Sequence, residues 1–408
     1  MKKIYLFTNF YPYSKNSENF LDSELEVVNQ EVLAEVYIIP LHKEQFCRIL
    51  PEHIKLCDEL AETTRLRKIV VGLKMLYSKW FWKLPFSKDP PCSVKEIFCA
   101  FKYLYGAFLI KDFLLRRKSY FDVEGIFYSY WFNHTPLGLW WAKNADIKYK
   151  NYPIYTRAHG FDVYERNVGI YFPYREETLR NITTVFVVSQ TGCSYLQYHY
   201  ADYKDKIKLS HLGVFPIVEK YVDKGKISGD LSFVSCSSVI PVKRVECIFK
   251  ILNEYCQKNS QIKITWMHIG GGKGLDNLLH LIQNCADNLI ISIQGVIDNS
   301  HIRELYRNRH FDIFINLSSS EGIPVSIMEA ISAGIPVIAT DVGGNHEIVV
   351  TETGKLLPLE FTFEQFEEAI SHILRSMSQY RKSTLNFYAS TFSASENYTK
   401  FYRDLIGK

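Results

Sequence analysis

Glu321 and Glu329 stand where two carboxylates could act on one ligand. The segment from Leu317 to Val349 reads LSSSEGIPVSIMEAISAGIPVIATDVGGNHEIV, with Gly322 and Pro324 close behind the first glutamate. The eight-residue spacing is uninformative by itself, because Glu18/Glu26, Glu44/Glu52 and Glu352/Glu360 share it. The neighbours carry the signal. Proline is accepted in the first turn of a helix, so a helix is predicted from about Pro324 to Ala333, closed by Gly334. Ile335 to Thr340 then reads as a buried parallel strand, and Phe311 to Leu317 as the strand before the loop. Glu321 falls in that loop, at the strand's carboxyl end, where Gly322 admits a ligand close to the backbone. The free N–H groups of the helix start can receive phosphate oxygens, and Glu329 lies one to two turns into the helix. One carboxylate can reach a sugar hydroxyl and the other the ribose of the same nucleotide. The plainer alternative is a loop glutamate and a solvated helix glutamate of any α/β protein.

Five further groups have chemical types worth placing. Lys243 follows the strand-like Phe233–Cys236 after a short loop, where an ammonium could neutralise a departing diphosphate; a lone lysine there is more often a surface residue. TRAHGFDVY sets His159, Gly160 and Asp162 directly after another strand, and its generic reading is a satisfied loop histidine. Glycines cluster in Ile269-Gly270-Gly271-Gly272, in Gln294-Gly295-Val296 and in Gly343-Gly344 ahead of Glu347. A glycine-rich turn alone is weak evidence.

The elements that must position these residues alternate. Strand-like runs at Ile4–Thr8, Val36–Pro40, Gly125–Tyr130, Ile154–Ala158, Thr184–Val188 and Ile207–Leu209 are separated by helical patterns. A second series runs through Leu231–Cys236, Ile262–Ile269, Leu289–Gln294, Phe311–Leu317, Pro336–Thr340 and Gly354–Leu357. Two Rossmann-like parallel sheets are expected, broken near Gly213 to Gly229, with a helical tail from Tyr380 to Lys408. Ligands of such sheets bind beyond the carboxyl ends of the strands.

The segment 311–349 closely resembles the E-x7-E region of the family 4 retaining glycosyltransferases. The resemblance implies an α/β chain of GT-B type, with two Rossmann-like parallel-sheet domains facing a central cleft. Residues 1–213 would form the acceptor-side domain, residues 214–384 the nucleotide-sugar domain, and a C-terminal helix at about 385–408 would cross back. It implies that Glu321 contacts the donor sugar and Glu329 the ribose, with the backbone of Gly322, Ile323, Pro324 and Val325 facing sugar and diphosphate. Lys243 aligns with the family's phosphate lysine in G-R-L-x-x-x-K-G, but Ser237, Ser238 and Arg244 replace the first glycine, the arginine and the last glycine. Arg244 is the residue that could take the missing arginine's place among the donor contacts. His159 resembles the acceptor-side histidine, orienting sugar and acceptor hydroxyls, with Asp162 shaping its loop or meeting the acceptor. Gly270 and Gly272 would pack near the donor, Gly295 and Val296 would read the nucleobase through the backbone, and Gly343, Gly344 and Glu347 would support the pocket floor. The glycine-rich acceptor loop of many relatives is absent, and Asn9-Phe10-Tyr11-Pro12-Tyr13-Ser14 stands there instead.

The function implied is retaining transfer of a hexose-type sugar from a nucleotide-sugar donor to a hydroxyl of a glycan acceptor, lipid-linked, in surface-polysaccharide synthesis. Neither cofactor nor metal is expected. A GT-B nucleotide-sugar epimerase and a non-catalytic sugar-nucleotide-binding scaffold are the alternatives.

Composition bounds these readings. The 408 residues suit two domains, and 47% apolar with 23% charged content is ordinary for a soluble chain. No apolar run reaches the roughly 18 residues of a transmembrane helix, and the start reads as a first strand rather than a signal peptide. Nine cysteines without a C-x-x-C pair indicate neither a disulfide framework nor a zinc site, so a cytoplasmic location is expected. Residues 65–118 hold 13 Lys/Arg against 3 Asp/Glu, interleaved with aromatics such as Tyr77, Trp82, Phe86, Phe98 and Phe101. Such a stretch suits an anionic membrane surface at the inner face of the cytoplasmic membrane; amphipathic helices with aromatic core faces and solvated basic faces are the alternative. No nucleic-acid motif accompanies the charge.

Overall fold

The computed structural model describes residues 2–14, 17–31, 34–165, 171–218 and 230–407. The chain divides into two compact units, residues 1–211 with 398–408, and residues 212–397. Residues 385–397 therefore belong to the second unit, and the return to the first begins at Tyr398. Part of the expected break, residues 219–229, lies outside the described residues.

The first unit is built on seven strands: β1 Lys2–Thr8, β2 Ala34–Pro40, β3 Ile54–Leu56, β4 Ile126–Ser129, β5 Ile154–Ala158, β6 Thr184–Val187 and β7 Ile207–Leu209. All pair in parallel, in the order β3-β2-β1-β4-β5-β6-β7. Its helices are α1 Phe20–Glu31, α2 Arg65–Leu76, α3 Lys79–Trp82, α4 Val94–Arg116, α5 Thr135–Ala145, α6 Arg175–Asn181 and α7 Gln190–His199. β1, β4 and β5 are buried on both faces, as parallel strands covered by helices should be. Much of the aromatic content fills this core: Phe121 packs at a tilt against Tyr5, ring centroids 4.7 Å apart, and Tyr152 likewise against Phe127 at 4.7 Å. β3 has three residues, one of them buried, too short for an apolar pattern to reveal it in sequence.

The second unit holds six strands: β8 Leu231–Cys236, β9 Ile264–Ile269, β10 Leu289–Ile293, β11 Ile313–Asn316, β12 Val337–Thr340 and β13 Gly354–Leu357. Again all are parallel, in the order β10-β9-β8-β11-β12-β13. Its helices are α8 Val245–Lys258, α9 Leu275–Leu281, α10 Asn299–Asn308, α11 Val325–Ser332, α12 Asn345–Ile348, α13 Phe363–Arg375 and α14 Met377–Thr391; α15 Ala394–Ile406 starts here and ends in the first unit. The α/β class and the two Rossmann-like parallel sheets are as expected.

In the first unit the terminal segment is fastened by a buried polar group. Tyr128 and Tyr402 both donate to Glu24 Oε1, at 3.0 and 3.1 Å. The Arg157 guanidinium lies 3.7 Å from Glu24 and 4.0 Å above the Phe401 ring. Burying such an ion pair is costly unless its geometry is good; here ring faces and hydroxyls supply part of what water would give. Among the described residues, no helix is long and apolar enough to cross a membrane.

Candidate functional site

Strand order decides where each unit can hold a ligand. In the second sheet the chain builds outward from β8 to β9 and β10, then returns to the other side of β8 with β11. The loops after β8 and β11 therefore part at the switch point, the usual ligand crevice of an open α/β sheet. Lys243 comes from the first of those loops and Glu321 from the second.

Their side chains meet. Lys243 Nζ donates to both carboxylate oxygens of Glu321 at 2.7 Å. Ser318 Oγ and Asn316 Nδ2 also donate to Glu321 Oε1, at 2.6 and 3.2 Å. The Glu321 side chain is 6% exposed and that of Lys243 24%, so the pair opens to solvent on the lysine side. A backbone bond joins the two loops, Ser319 N donating to the Val242 carbonyl at 2.8 Å, and Thr340 Oγ1 from the end of β12 donates to the Ser318 carbonyl at 2.5 Å. Four hydrogen bonds from three groups fix the carboxylate's position and leave it few rotamers.

Glycines let the surrounding backbone close in. Gly343 has φ +53°, and a Cβ there would sit 1.8 Å from the Glu321 carbonyl oxygen. On Gly344 it would sit 2.2 Å from the Gly322 carbonyl oxygen. This pair thus packs directly beneath the Glu321–Gly322 peptide. The turn after β9 does the same for the loop after β8: a Cβ on Gly270 (φ +138°) would meet the Ser237 carbonyl oxygen at 1.9 Å. Gly272 adjoins Val239 in the same manner. Gly295 bridges to Gly270, with Gly270 N donating to its carbonyl at 2.8 Å, and Val296 stands exposed beside that bridge.

α11 begins at Val325, with Pro324 as its extended N-cap, one residue later than expected. Ile323 is buried, and the first N–H groups of a helix have no partner within it. At the other end, Gly334 adopts φ +72°, and Ile335 N reaches back to the Ala330 carbonyl at 3.0 Å, closing the helix. Glu329, within α11, is not a solvated glutamate. It is 7% exposed, and Asn299 Nδ2 from α10 donates to its Oε1 at 2.5 Å. Burial raises its carboxyl above the usual range, against the lowering influence of Asn299 and Arg303. Burial and the nearby Glu329 also push the Cys236 thiol, at the end of β8, up to about 12.

Arg244 does not join this group. It takes a left-handed conformation (φ +47°) at the start of α8 and donates to the Leu359 carbonyl at 2.8 Å, with no bond to Glu321. The reason is geometric. Arg244 itself is left-handed, and its side chain reaches the loop after β13 while Lys243 reaches Glu321.

In the first unit the switch point falls between β1 and β4. Here the carboxylate of Glu18 is the centrepiece. It accepts the backbone N–H groups of Asn9, Phe10 and Tyr11 at 2.8, 2.8 and 2.7 Å, and the Trp131 indole N–H at 2.5 Å. Glu18 is 4% exposed and has φ +59°. It occupies a nest of three consecutive N–H groups, an arrangement suited to an anion. The loop that lacks glycines is thus shaped by an internal carboxylate. Sequence reasoning passed over Glu18, met there only as half of an uninformative spacing.

Trp131 in turn packs on His159, ring centroids 4.5 Å apart, with Tyr130 on the ring at 4.6 Å. Both imidazole nitrogens of His159 are screened from solvent; neither makes a hydrogen bond among the described residues, and Nδ1 lies 4.0 Å from Asp162 Oδ2. Asp162 is fully buried and spent on its own loop: Oδ1 accepts from His159 N at 2.7 Å and Gly160 N at 3.1 Å, Oδ2 from Phe132 N at 2.9 Å. Burial raises its carboxyl, but the bonds from His159 and Phe132 outweigh that and hold it below the usual range. Of the two roles expected for Asp162, the structure shows the loop-shaping one. Among the described residues, no group of three or more His, Cys, Asp or Glu could hold a metal ion.

Comparison with known proteins gives likenesses in sequence and in fold. Residues 218–386 match the family model described as Glycosyl transferases group 1. The O-antigen biosynthesis glycosyltransferase WbnH of Escherichia coli is 29% identical over 164 residues, covering 40% of this chain and 43% of that protein. The match thus spans less than half the length of that curated relative. Among solved structures, HepE of Anabaena in complex with UDP aligns over 100% of both chains with a TM-score of 0.61 and 13% identity. The lipopolysaccharide outer core galactosyltransferase WaaB aligns over 100% of this chain and 99% of its own, with a TM-score of 0.64 and 13% identity. At such identities the likeness is one of fold, and that fold is GT-B; in sequence, the likeness to glycosyl transferases group 1 rests on residues 218–386 of the second unit.

Proposed function

We propose that the chain is a retaining glycosyltransferase that takes a hexose-type sugar from a nucleotide-sugar donor to a glycan hydroxyl in surface-polysaccharide synthesis. The observation that carries the reading is the Lys243–Glu321 pair at the switch point of the second sheet, ringed by close-packed glycine turns. Lys243 and Glu321 neutralise each other directly. A diphosphate arriving beside them takes the ammonium, and the Glu321 carboxylate, still held by Ser318 and Asn316, turns to the sugar hydroxyls. The N–H groups at the start of α11 share the phosphate charge. Glu329, deeper in α11, accepts from the ribose.

The chemical step breaks the bond between the anomeric carbon and the diphosphate oxygen, and the diphosphate leaves with the electron pair. Lys243 stabilises the charge that develops there. The acceptor oxygen bonds to the anomeric carbon on the face the diphosphate left, and its proton passes to the departing phosphate oxygen. In this route the positive charge comes from Lys243 and backbone dipoles rather than a metal. By the family resemblance, orienting the acceptor hydroxyl falls to His159 of the first unit, whose Nδ1 lies 4.0 Å from Asp162 Oδ2. The O-antigen role of the Escherichia coli relative supports a polysaccharide product.

A thermal-shift panel of sugar nucleotides tests the reading, because a donor that binds only the folded chain stabilises it, by about 2.7 kcal/mol at a hundredfold excess over Kd. One donor should raise the melting temperature clearly above the rest. If no sugar nucleotide shifts the transition, the proposal fails.

A further inference from the structure

We propose that the helical excursion between β3 and β4 is a docking face for an anionic phospholipid bilayer. The inference rests on the reading above in one respect: it makes the acceptor a lipid-linked one, met at a membrane surface.

The excursion comprises α2, α3 and α4. α2 buries Val71 and Met75 and leaves Leu66, Ile69, Leu73 and Leu76 exposed, at steps of three and four that share one helical face. The first half of α4 repeats this: Val94, Ile97, Phe98 and Phe101 are exposed, while Leu104, Ala107, Phe108 and Ile110 further along are buried. Between the helices Tyr77 is 88% exposed, Trp82 67% and Phe86 88%. Contacts join these pieces into one surface. The Trp82 indole N–H donates to the Leu76 carbonyl at 2.8 Å, and the Phe81 ring packs on both Trp82, at 5.4 Å, and Phe101, at 6.4 Å. An apolar face of this kind, contiguous and formed by large side chains, marks an interaction site.

Charge selects the occupant. The segment 65–118 carries 13 basic residues against 3 acidic ones. Of the acids, Asp112 is buried and takes Arg67, Lys74 and Arg116, and Glu96 accepts the Cys92 N–H at the start of α4. One lysine rides on an exposed ring: Lys102 Nζ lies 4.5 Å from the Phe98 ring centroid. A second copy of the chain would bring the same excess positive charge against it, which opposes a symmetric dimer through this face. Anionic headgroups complement it, and aromatic rings settle at the depth where headgroups meet acyl chains.

The test is flotation of the full chain with vesicles of phosphatidylglycerol and phosphatidylcholine, and with phosphatidylcholine alone. Binding to the anionic vesicles should be strong at low salt and fall as salt rises. The variant Trp82→Ser/Phe86→Ser/Phe98→Ser, and separately Lys79→Glu/Lys83→Glu/Lys95→Glu, should each lose at least about tenfold in partitioning with an unchanged melting temperature. The inference falls if the chain stays with the soluble fraction at low salt, or if either folded variant binds as well as the native chain. It also falls if the apolar variant instead abolishes a concentration-dependent dimer. The sugar-nucleotide thermal shift needs no vesicle and so separates the two readings. A shift without flotation removes the docking face alone; flotation without a shift removes the transferase and leaves the face.

Discussion

The two units share a parallel sheet and a switch point, yet they furnish that switch point in opposite ways. In the second unit, Glu321 pairs with a cation partly open to solvent, so an anionic ligand can exchange for one partner. In the first, Glu18 lies buried on three backbone N–H groups and an indole, and nothing is left for an outside anion to claim. A carboxylate near the switch point meets a partly exposed cation in one unit and a closed set of backbone donors in the other. The lesson is that partners, not position, assign the role. A carboxylate held by a mobile ammonium can be released, whereas one held by fixed backbone groups cannot.

The largest effect should come from the exchangeable side of the comparison. Glu321→Ala removes the acceptor of Lys243, Ser318 and Asn316 together. We expect transfer with the donor named by the panel to fall about 100- to 1,000-fold, the range for losing one preorganised group at developing charge. Glu321→Gln keeps an acceptor for Ser318 but not the charge, and should fall by a similar factor. Undiminished turnover in either variant would break the contrast, since Glu321 would then be as architectural as Glu18.

How much of this was legible in the sequence differs between the units for the same reason. Around Glu321 the informative residues are contiguous: a glycine, a proline and a helix start follow within four positions, and each has a local conformational meaning. Its pairing with Lys243 spans 78 residues and needs β8 beside β11, which parallel α/β topology and the family resemblance together supply. The burial of Glu329 was not legible, because its cover, Asn299, comes from a separate helix. The direction of Arg244 depends on a single left-handed residue, which no neighbouring glycine or asparagine announces. Glu18 had no local signature at all. Its role arises where a non-glycine residue with positive φ turns a carboxylate back onto a loop seven to nine positions earlier. The excursion 65–118 could be read for composition, but which rings face out was settled only by packing: Tyr103, Phe108 and Phe113 went inside, and Tyr77, Trp82 and Phe86 did not.

A smaller effect, and on stability rather than turnover, is expected from Glu18→Ala. Three backbone N–H groups and the Trp131 indole N–H lose their acceptor. Each unsatisfied buried donor costs about 1–3 kcal/mol, with relaxation and water recovering part. A net loss of about 3 kcal/mol would lower the melting temperature of the first unit by roughly 6–12 °C. The thermal shift produced by the donor should persist, because its proposed contacts lie in the second unit. Glu18→Gln keeps the shape but turns an amide toward one of the donors, so about half the loss is expected. A melting temperature within about 1 °C of native for Glu18→Ala would sharpen the comparison differently, by showing the nest to be solvated and open to a ligand.

The smallest effect concerns Glu329, which stands between the two cases: buried like Glu18, yet proposed to meet a ligand like Glu321. Burial holds its folded pKa above the unfolded value, so the folded chain binds that proton more tightly than the unfolded chain does. The resulting stability is complete below the unfolded carboxylate range and is lost as pH rises through the raised folded value. Glu329→Gln carries no such proton and keeps an oxygen for Asn299. Relative to native, the variant should therefore gain stability as pH rises through the acid range and should match it again at low pH. Donor affinity should move the other way, weakening about tenfold as a charged acceptor for the ribose becomes a neutral one. Melting curves across pH, with and without donor, read both quantities in one series. A stability difference that does not change with pH would mean that water already reaches the carboxylate. Unchanged donor affinity would place Glu329 with Glu18, as a carboxylate that serves the fold alone.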